Sequence, residues 1–277
     1  MAVRLVYVHA LSSLHAGTGQ GVGVIDLPIA RERATDLPLI PGSSIKGCLR
    51  EAHRDLSELF GEQDVAGMLQ ISDARLLLLP VRCLGATFVW TTCPYVLRRL
   101  ARDAAAAGLE VTTPVPDLSE GSAHLASEDA LIEIGGKKRL VLEEFDFAPS
   151  LDGKDWAGVI GRGLFGSSRD WQAEFSKRFA IVDDKSFHHL TQFGTEVTAH
   201  VRIDQEKGAV ENGALWYQES LPAETVLVSL WRTEARAGNA DPDTDLRNLA
   251  KERHLQLGGK ATTGQGLVRL MPVESLL

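Results

Sequence analysis

The sequence predicts an α+β fold, and the order of its elements carries this prediction. Apolar patterns mark a strand at the start of the chain, a helix near residue 50, several further strands, a helix near residue 245 and a last strand. This order is typical of a ferredoxin-like (RRM-like) core. Residues 110–220 carry hairpin, short-helix and loop patterns instead. We therefore predict one domain over 1–277, with a core of roughly 1–109 and 221–277 and with insertions at roughly 110–220.

Composition excludes several classes of protein. The 277 residues are 44% hydrophobic and 24% charged, which is ordinary for a globular domain. No apolar run approaches the roughly 18 to 20 residues of a membrane span, and the alternating N-terminus is unlike a signal peptide. We therefore expect a cytoplasmic protein without a membrane partner. Three cysteines without CxxC spacing predict neither a disulfide framework nor a zinc site.

The distribution of charge is more informative than its sum. A net charge of −8 argues against a protein that coats nucleic acid with its whole surface. The first 60 residues carry as many basic as acidic side chains, so residues 61–277 carry the entire negative balance. The segment 258–270 contains Lys260 and Arg269 and no acidic residue. Any RNA would therefore bind to a local surface formed by the two ends of the chain.

The first half of the chain predicts regular elements with defined ends. Pro41-Gly42 is a turn pair, Ser43 or Ser44 is a natural N-cap, and Gly61 is a natural C-terminal stop for the helix between them. The predicted elements are a strand at 3–10, this helix at 45–60, strands at 74–81 and 86–91, and a helix at 94–107.

The second half predicts hairpins and short helices. A turn at Gly135-Gly136 lies between two apolar runs. The predicted elements are a hairpin at 131–145, helices at 171–178 and 186–192, a long hairpin formed by 195–203 and 214–218 with a turn at 204–213, a strand at 225–231, a helix at 241–253 and a strand at 267–271.

A glycine-rich loop precedes the first helix. Four glycines alternate with other residues between positions 17 and 23, and this pattern makes a poor strand because nothing packs and ordering costs the most entropy. One interpretation is a mobile loop. The other interpretation is a backbone that lies against a ligand. The helix that follows offers N–H groups, two serine hydroxyls and a basic stripe that includes Lys46 and Arg50, and phosphate-binding sites use such groups. An ordinary amphipathic helix with a solvated charged face is the alternative for that helix.

These segments resemble a known family. The glycine-rich turn is followed by IDLP at 25–28, RER at 31–33, IPGSSIKG at 40–47 and Arg50. Together they are similar to the RAMP superfamily of CRISPR systems, and more narrowly to the repeated backbone subunit of the type III-B (Cmr) effector complex. LGGKATTGQGL at 257–267 resembles the C-terminal glycine-rich loop of that superfamily. The resemblance therefore spans nearly the whole chain.

The resemblance implies a function in target-RNA cleavage. Its partners would be the CRISPR guide RNA, a complementary single-stranded target RNA, further copies of the chain and other Cmr subunits. A β-hairpin thumb would enter the guide–target duplex and splay out one nucleotide at each subunit boundary. Cleavage would depend on Asp26 and would leave a 2′,3′-cyclic phosphate and a 5′-hydroxyl. The expected cofactor is a divalent metal at Asp26, Mg²⁺ or Mn²⁺, because carboxylate oxygens suit hard cations.

The predicted RNA-binding site combines both glycine-rich loops with the start of the first helix. Its members are Gly17, Gly19, Gly21, Ser43, Ser44, Lys46, Arg50, Gly259, Lys260, Gly264 and Gly266.

Alternatives stay open at this point. Asp26 can be a loop carboxylate that bonds its own backbone. His15 can form an acid–base pair with Asp26 or be structural, and Glu224 lies in a stretch that also resembles the family and would assist. The protein as a whole can be a non-catalytic RNA-binding scaffold, or a guide-processing RAMP endonuclease that relies on a histidine base.

One further motif is a poor candidate. GRGLFG at 161–166 matches the G-x-G-x-x-G pattern of dinucleotide sites. Only two apolar residues precede it, and no series of βαβ units surrounds it, so we do not predict a dinucleotide site.

Overall fold

The computed structural model describes residues 1–19, 21, 23–62, 64–204, 209–234, 242–251 and 254–276. The helices are α1 (Gly42–Ala52), α2 (Ser57–Phe60), α3 (Pro94–Ala106), α4 (Lys154–Phe165), α5 (Arg169–Lys177), α6 (Asp184–Phe193) and α7 (Pro242–Ala250), and a 3₁₀ turn covers Ala261–Thr263. The strands are β1 (Ala2–Ala10), β2 (Leu39–Ile40), β3 (Gly61–Glu62), β4 (Val65–Ala66), β5 (Leu69–Ile71), β6 (Ala74–Arg82), β7 (Phe88–Thr92), β8 (Ser122–Leu125), β9 (Ile132–Ile134), β10 (Lys137–Leu142), β11 (Phe145–Ser150), β12 (Phe179–Val182), β13 (Glu196–Asp204), β14 (Ala209–Ser220), β15 (Val226–Thr233), β16 (Leu255–Gln256) and β17 (Leu267–Pro272).

Most of these strands form one large mixed sheet. Its order is β16-β17-β1-β15-β6-β7-β12-β8-β11-β10-β9, with β2 against β6 and β5 against β15. In the centre, β1 is antiparallel to β15 and β17, and β15 is antiparallel to β6. The pairs β7–β12 and β8–β11 are parallel. The predicted mixture of helices and strands is therefore confirmed, and the strands form a larger sheet than the prediction specified.

Alternation along β1 explains why helices cover both faces of the sheet. Leu5 and Tyr7 are fully buried in an apolar cluster that includes side chains of α3, α4 and α6. Val6 and Val8 point the other way, into a second cluster with side chains of α1 and α7. Removing both faces from water provides the main driving force for this layered arrangement.

The hairpin of β13 and β14 forms its own two-stranded sheet. It runs from the pair Glu196 and Ser220 to the pair Asp204 and Ala209, with a register shift between Val201 and Ile203. The predicted long hairpin is therefore confirmed. The predicted turn at 204–213 was too long, because β14 already begins at Ala209; residues 205–208 lie outside the described part of the chain.

The first helix differs from its prediction in three ways. The helix predicted at 45–60 is divided into α1 and α2, because His53 leaves the helical region at φ −125° and ψ 59°. The N-cap residue is Pro41, so neither serine caps the helix. The Asp73 carboxylate instead accepts a hydrogen bond from the Gly42 N–H at 2.8 Å. Gly61, at φ 87°, ends α2 as predicted.

The G-x-G-x-x-G motif lies within and at the end of α4, a helix that the sequence analysis missed. Its glycines allow close packing: a Cβ on Gly161 would lie 3.2 Å from the Phe175 ring, and one on Gly163 would lie 2.8 Å from the Tyr7 ring. These glycines therefore lie in the last turns of a helix and at its end, and not in a turn between a strand and a helix.

Two further expectations concern the chain as a whole. Cys48, Cys83 and Cys93 are free thiols, as their spacing predicted. Across the described residues, each helix is too short or too polar to cross a membrane.

Candidate functional site

The two glycine-rich segments lie side by side. The Gly266 N–H donates to the Ser13 carbonyl at 2.8 Å, and the Gly259 N–H donates to the His15 carbonyl at 3.3 Å. A Cβ on Gly258 would lie only 2.2 Å from that same His15 oxygen. The two ends of the chain therefore lie next to each other.

The predicted site glycines have two different roles. Three of them pack tightly within the protein, since a Cβ would lie 2.5 Å from the His15 ring at Gly17, 2.9 Å from the Ile25 carbonyl at Gly21 and 2.0 Å from the Leu257 carbonyl at Gly266. Space is open at the other three, Gly19, Gly259 and Gly264. Gly19 and Gly264 have φ angles of 100° and 82°, which favour glycine. These open positions leave backbone that a ligand can approach.

Asp26 is exposed and is fixed against β14. Its Oδ2 atom accepts a hydrogen bond from the Tyr217 N–H at 2.8 Å. The Leu27 N–H donates to the Tyr217 carbonyl at 3.0 Å, and the Gly21 N–H donates to the Asp26 carbonyl at 2.8 Å. The carboxylate thus binds a different segment, and the alternative that it bonds its own backbone is wrong.

His15 is anchored to the same strand. Its Nδ1 atom lies 2.6 Å from the Glu219 carbonyl oxygen. Because a carbonyl only accepts, Nδ1 carries the hydrogen, and the lone pair of the neutral ring lies on Nε2. The structure therefore holds His15 and Asp26 on residues two positions apart in β14.

Glu219 is a central residue that the sequence analysis missed. Its carboxylate is buried and accepts hydrogen bonds from Arg31 at 2.6 Å, from the Thr195 hydroxyl at 2.9 Å and from the Ile29 N–H at 3.0 Å. It therefore ties the segment after Asp26 to β14 and to Thr195, the residue directly before β13. An alternating hairpin predicts an exposed glutamate at this position, and the only sequence signal was the RER segment that supplies its partner.

The RER segment makes further contacts that fix the loop. Arg31 donates to the Thr191 carbonyl at 3.1 Å, and Glu32 accepts two hydrogen bonds from Arg99, at 2.8 and 2.5 Å. Burial opposes ionisation of Glu32, but the hydrogen bonds from Arg99 and Thr35 outweigh it and lower the pKa of this carboxyl. The chain on the C-terminal side of Asp26 is therefore held by two ion pairs.

The predicted residues on α1 differ in availability. Ser43, Ser44 and Arg50 are exposed. The Lys46 ammonium donates to the Leu69 carbonyl at 2.8 Å, and burial together with the charge of Arg50 lowers the pKa of Lys46. Arg50 lines an open cavity of about 440 Å³. It is therefore better placed than Lys46 to meet a phosphate.

Helix α1 lies next to the C-terminal loop. The backbone N–H of Gly258 bonds the Cys48 thiol, while burial raises the pKa of that thiol. Since Gly258 also packs against His15, the helix and both glycine-rich loops meet at one place.

Lys260 joins the C-terminal loop to the hairpin. Its ammonium lies 3.3 and 3.4 Å from the two ring nitrogens of His200 and 5.8 Å from the centre of the Trp216 ring. Gln218 also donates to the Gln265 side chain at 2.9 Å. One side of the hairpin therefore faces the predicted RNA surface.

Glu224 has a different environment from Asp26. Its carboxylate lies 2.8 Å from Nε2 of the buried His9, and Arg269 donates to the other ring nitrogen of His9 at 3.3 Å. With Arg269 as donor to Nδ1, Nε2 carries the hydrogen and donates to Glu224. Glu224 thus contacts β1, through the His9 ring and the Ala10 carbonyl, and not the described part of the Asp26 loop.

The donors near Asp26 limit how a metal can bind. Among the described residues, no group of three or more His, Cys, Asp or Glu side chains can hold a metal ion. Asp26 uses Oδ2 for Tyr217, which leaves Oδ1 as its available oxygen. A cation held there would take its other ligands from water and phosphate, and Mg²⁺ is an ion that accepts such a shell. The predicted metal stays a prediction.

Comparison with known proteins agrees with this arrangement. The profile described as the RAMP superfamily matches residues 7–269. The chain is 33% identical to the CRISPR system Cmr endoribonuclease Cmr4 of Pyrococcus furiosus, over 98% of this chain and 95% of that protein. It superposes on the crystal structure of oligomeric Cmr4 from Pyrococcus furiosus with a TM-score of 0.76 and 28% identity, over 100% of both chains. A cryo-EM structure of the type III-B Cmr-beta bound to cognate target RNA shares the fold, with a TM-score of 0.75 and 20% identity over 100% of this chain and 99% of that chain. The resemblance seen in the sequence is confirmed, and the chain belongs to the RAMP superfamily and, within it, to the Cmr4 family.

Proposed function

We propose that the protein is the backbone subunit of a type III-B CRISPR ribonucleoprotein that binds guide RNA along a filament and cleaves complementary target RNA at regular intervals. The endoribonuclease named in Pyrococcus furiosus supports this function, since the two chains align over nearly their whole lengths. The observation that carries the proposal is the exposed Asp26 carboxylate, held on β14 beside His15 where both glycine-rich loops meet.

Several partners follow from this function. The Pyrococcus furiosus relative is described as oligomeric, which supports further copies of this chain as partners. Identical subunits that contact one another head to tail form an open filament unless the rotation closes a ring. Guide RNA, target RNA and other Cmr subunits complete the complex, and the cytoplasm is its location.

We assign the centre of the sheet to a ferredoxin-like core. In the order β17-β1-β15-β6, β1 and β6 lie on either side of β15, both antiparallel to it and so parallel to each other, and α1 lies between them in the chain. Likewise β15 and β17 flank β1, and α7 lies between them in the chain. Two interlocked βαβ units of this kind support the assignment. Residues 110–220 would then be the insertions of a single domain, and the β13–β14 hairpin would be the thumb.

The protein would hold RNA by its backbone and leave sequence to base pairing. Open glycine positions in both loops provide exposed backbone, and Arg50, in the last turn of α1, provides positive charge for phosphates. Guide-dependent proteins contact the shape and the backbone of the duplex, and base pairing between guide and target supplies the sequence specificity.

The chemistry would be an in-line displacement on the target strand. The ribose 2′-oxygen attacks the adjacent phosphorus, the bond from phosphorus to the 5′-oxygen breaks, and the products are a 2′,3′-cyclic phosphate and a 5′-hydroxyl. Asp26 would take the 2′-hydroxyl proton or hold a divalent cation through Oδ1. Such a cation, Mg²⁺ or Mn²⁺, would neutralise charge on the phosphate. His15, which is bonded to the Glu219 carbonyl of β14, has its lone pair on Nε2 and would be a second group able to exchange a proton.

Asp26→Asn tests this proposal. The amide keeps an oxygen for the Tyr217 N–H, so the loop and the assembly should be preserved, but it is neither a base nor a good ligand for a hard cation. Complexes built wholly from this variant should bind guide and target RNA and fail to cut at every site. Cleavage at near wild-type rate would show that Asp26 is not the catalytic residue.

The same assay separates the two alternatives. A wild-type complex that binds target RNA and never cuts it, with Mg²⁺ or Mn²⁺ present, would favour the non-catalytic scaffold. Cleavage of precursor guide RNA that is lost in His15→Ala and kept in Asp26→Asn would favour a guide-processing endonuclease.

A further inference from the structure

The two faces of the β13–β14 hairpin differ in chemistry. Side chains alternate across a strand, so residues directly opposite one another share a face. The face that contains the pairs Ala199–Tyr217 and Val201–Leu215 is apolar and exposed. The other face contains the pair His200–Trp216 and continues to Gln218, which bonds the C-terminal loop. The hairpin therefore turns its polar and aromatic face towards that loop.

This second face carries a stacked aromatic pair with a cation at its edge. The rings of His200 and Trp216 are 5.5 Å apart at an interplanar angle of 21°. Burial and the charge of Lys260 lower the pKa of His200, so the imidazole stays neutral near pH 7 and stacks without repelling the lysine. Lys260 reaches both ring nitrogens of His200, so its ammonium lies on the imidazole side of the indole. Within the described residues, the opposite face of the part-exposed indole has no recorded aromatic or cationic contact.

The stacked pair lies between the two candidate RNA-binding segments. Trp216 directly precedes Tyr217, whose N–H holds Asp26. Lys260 belongs to the C-terminal loop and is followed by Gly264, where the backbone is open to approach. A polymer that follows both loops would therefore pass across Trp216.

We propose that Trp216 is a stacking platform for a nucleobase of bound RNA, with His200 supporting the indole from behind and Lys260 placed for a neighbouring phosphate. The proposal rests on the function proposed above, because that function supplies RNA as the ligand. Aromatic rings beside a basic residue are how proteins bind splayed or single-stranded nucleotides without reading their sequence. The Trp216 face carries Lys260 beside the indole, which makes it a better site for a charged polymer than the exposed apolar side chains of the other face.

Binding of short single-stranded RNA to the whole protein tests the platform. The probes are oligoadenylate and oligouridylate, and the variants are Trp216→Ala and Trp216→Phe. Trp171→Ala is the matched control, because Trp171 is an exposed tryptophan that stacks on Phe165 instead. Losing one base–aromatic stack should weaken binding roughly 5- to 150-fold in Trp216→Ala. Trp216→Phe should bind nearly as well as the wild type, and Trp171→Ala should bind like the wild type.

Two readouts identify the contact as stacking. Oligoadenylate should quench tryptophan fluorescence more than oligouridylate, and this quenching should disappear in Trp216→Phe even though RNA still binds. Trp216→Ala should keep the wild-type dependence of affinity on salt, since stacking releases no counterion. Lys260→Ala should reduce that salt slope by about one.

The outcomes separate the platform from the proposed function. If Trp216→Ala binds both RNAs like the wild type while Lys46→Ala with Arg50→Ala weakens them, RNA binding stands and the platform is wrong. If Trp216→Ala instead reduces only self-association, the indole contacts another copy and the platform is also wrong. A wild-type protein that binds no RNA overturns both. If circular dichroism shows that Trp216→Ala is unfolded, the test depends on Trp216→Phe alone. In that case, quenching of tryptophan fluorescence by oligoadenylate that is as strong in Trp216→Phe as in the wild type shows that the platform is wrong.

Discussion

Replacing Glu219 with glutamine should loosen the segment that positions Asp26. The Glu219 residue is 3% exposed, and its carboxylate accepts hydrogen bonds from Arg31, Thr195 and the Ile29 N–H. Glutamine has the same size, but only one of its two terminal atoms can accept. At least one donor would therefore face an NH₂ group, and the Arg31 charge would lose its partner.

The structure sets the size of the effect. Removing one partner of a buried ion pair costs about 3–5 kcal/mol. The Arg31 side chain is 17% exposed and keeps its hydrogen bond to the Thr191 carbonyl, so the cost should be lower here. We expect Glu219→Gln to lower the free energy of unfolding by about 2–3 kcal/mol. Glu219→Ala should cost about 1–3 kcal/mol more, because it also leaves the buried Ile29 N–H without an acceptor.

Urea denaturation measures these differences. The control is Glu196→Gln, an exposed carboxylate at the start of the same hairpin, which should change stability by no more than about 0.5 kcal/mol. A double-mutant cycle of Glu219→Gln with Arg31→Gln should give a coupling energy above about 1 kcal/mol. Equal stability of the Glu219→Gln and Glu196→Gln proteins, with coupling near zero, would refute the reasoning.

The cleavage rate of the Glu219→Gln variant shows whether Glu219 positions the Asp26 loop or only stabilises the fold. Glu219 is buried, so it should not touch RNA, and RNA affinity should change little at a temperature where the variant is fully folded. The cleavage rate constant should fall, because the Asp26 loop has lost an anchor. Loss of affinity in proportion to loss of cleavage would instead indicate a general distortion of the surface.

The remaining predictions concern the guide-binding surface and the loops. Lys46→Ala with Arg50→Ala should weaken guide binding and flatten its salt dependence, measured by titration at several salt concentrations, because fewer counterions are released; an unchanged slope would return α1 to an ordinary solvated helix. Gly266→Ala should lower the free energy of unfolding by about 2–4 kcal/mol, measured by thermal or urea denaturation, because the new Cβ would collide with a carbonyl oxygen and the residue has positive φ. Gly264→Ala has a similar φ but open space around it, so it should lower the free energy of unfolding by only about 1–2 kcal/mol. The pKa of Glu32 is lower in the folded state than in the unfolded state, so ionised Glu32 stabilises the fold relative to Glu32→Gln at pH values above the unfolded-state pKa of about 4.3. This difference in stability should disappear as the pH falls through the folded-state pKa. A difference between the two proteins that persists at lower pH would contradict this.

The sequence predicted those elements that depend on local pattern. Periodicity located β1, α3 and the β13–β14 hairpin to within a few residues, because each buries one face or alternates along its length. The same logic placed Gly135-Gly136 in a turn, and both residues have positive φ. The resemblance of the two glycine-rich segments predicted that they belong to one site, and backbone hydrogen bonds join them.

Tertiary contacts explain what the sequence could not predict. The cap of α1 is Asp73, about thirty residues away in the chain, so the local serines gave the wrong answer. Glycines inside α4 matched a dinucleotide pattern and gave no helix prediction, whereas they make room for Tyr7 and Phe175. Glu219 looked like an exposed hairpin residue, because nothing in an alternating pattern shows that an arginine from a distant loop covers it.

Register in β14 is what makes the candidate site a single unit. Tyr217 holds Asp26 by its backbone, Glu219 holds His15 by its carbonyl and the RER segment by its carboxylate, and Trp216 faces Lys260. A slip of one residue would turn each of these side chains to the opposite face of the hairpin, and it would move the Glu219 carboxylate away from Arg31, onto the face that carries Trp216. The buried ion pair with Arg31 disfavours that slip, because the charge would lose its partner. The position of Asp26 in space is therefore determined by a carboxylate that does not itself take part in the chemistry.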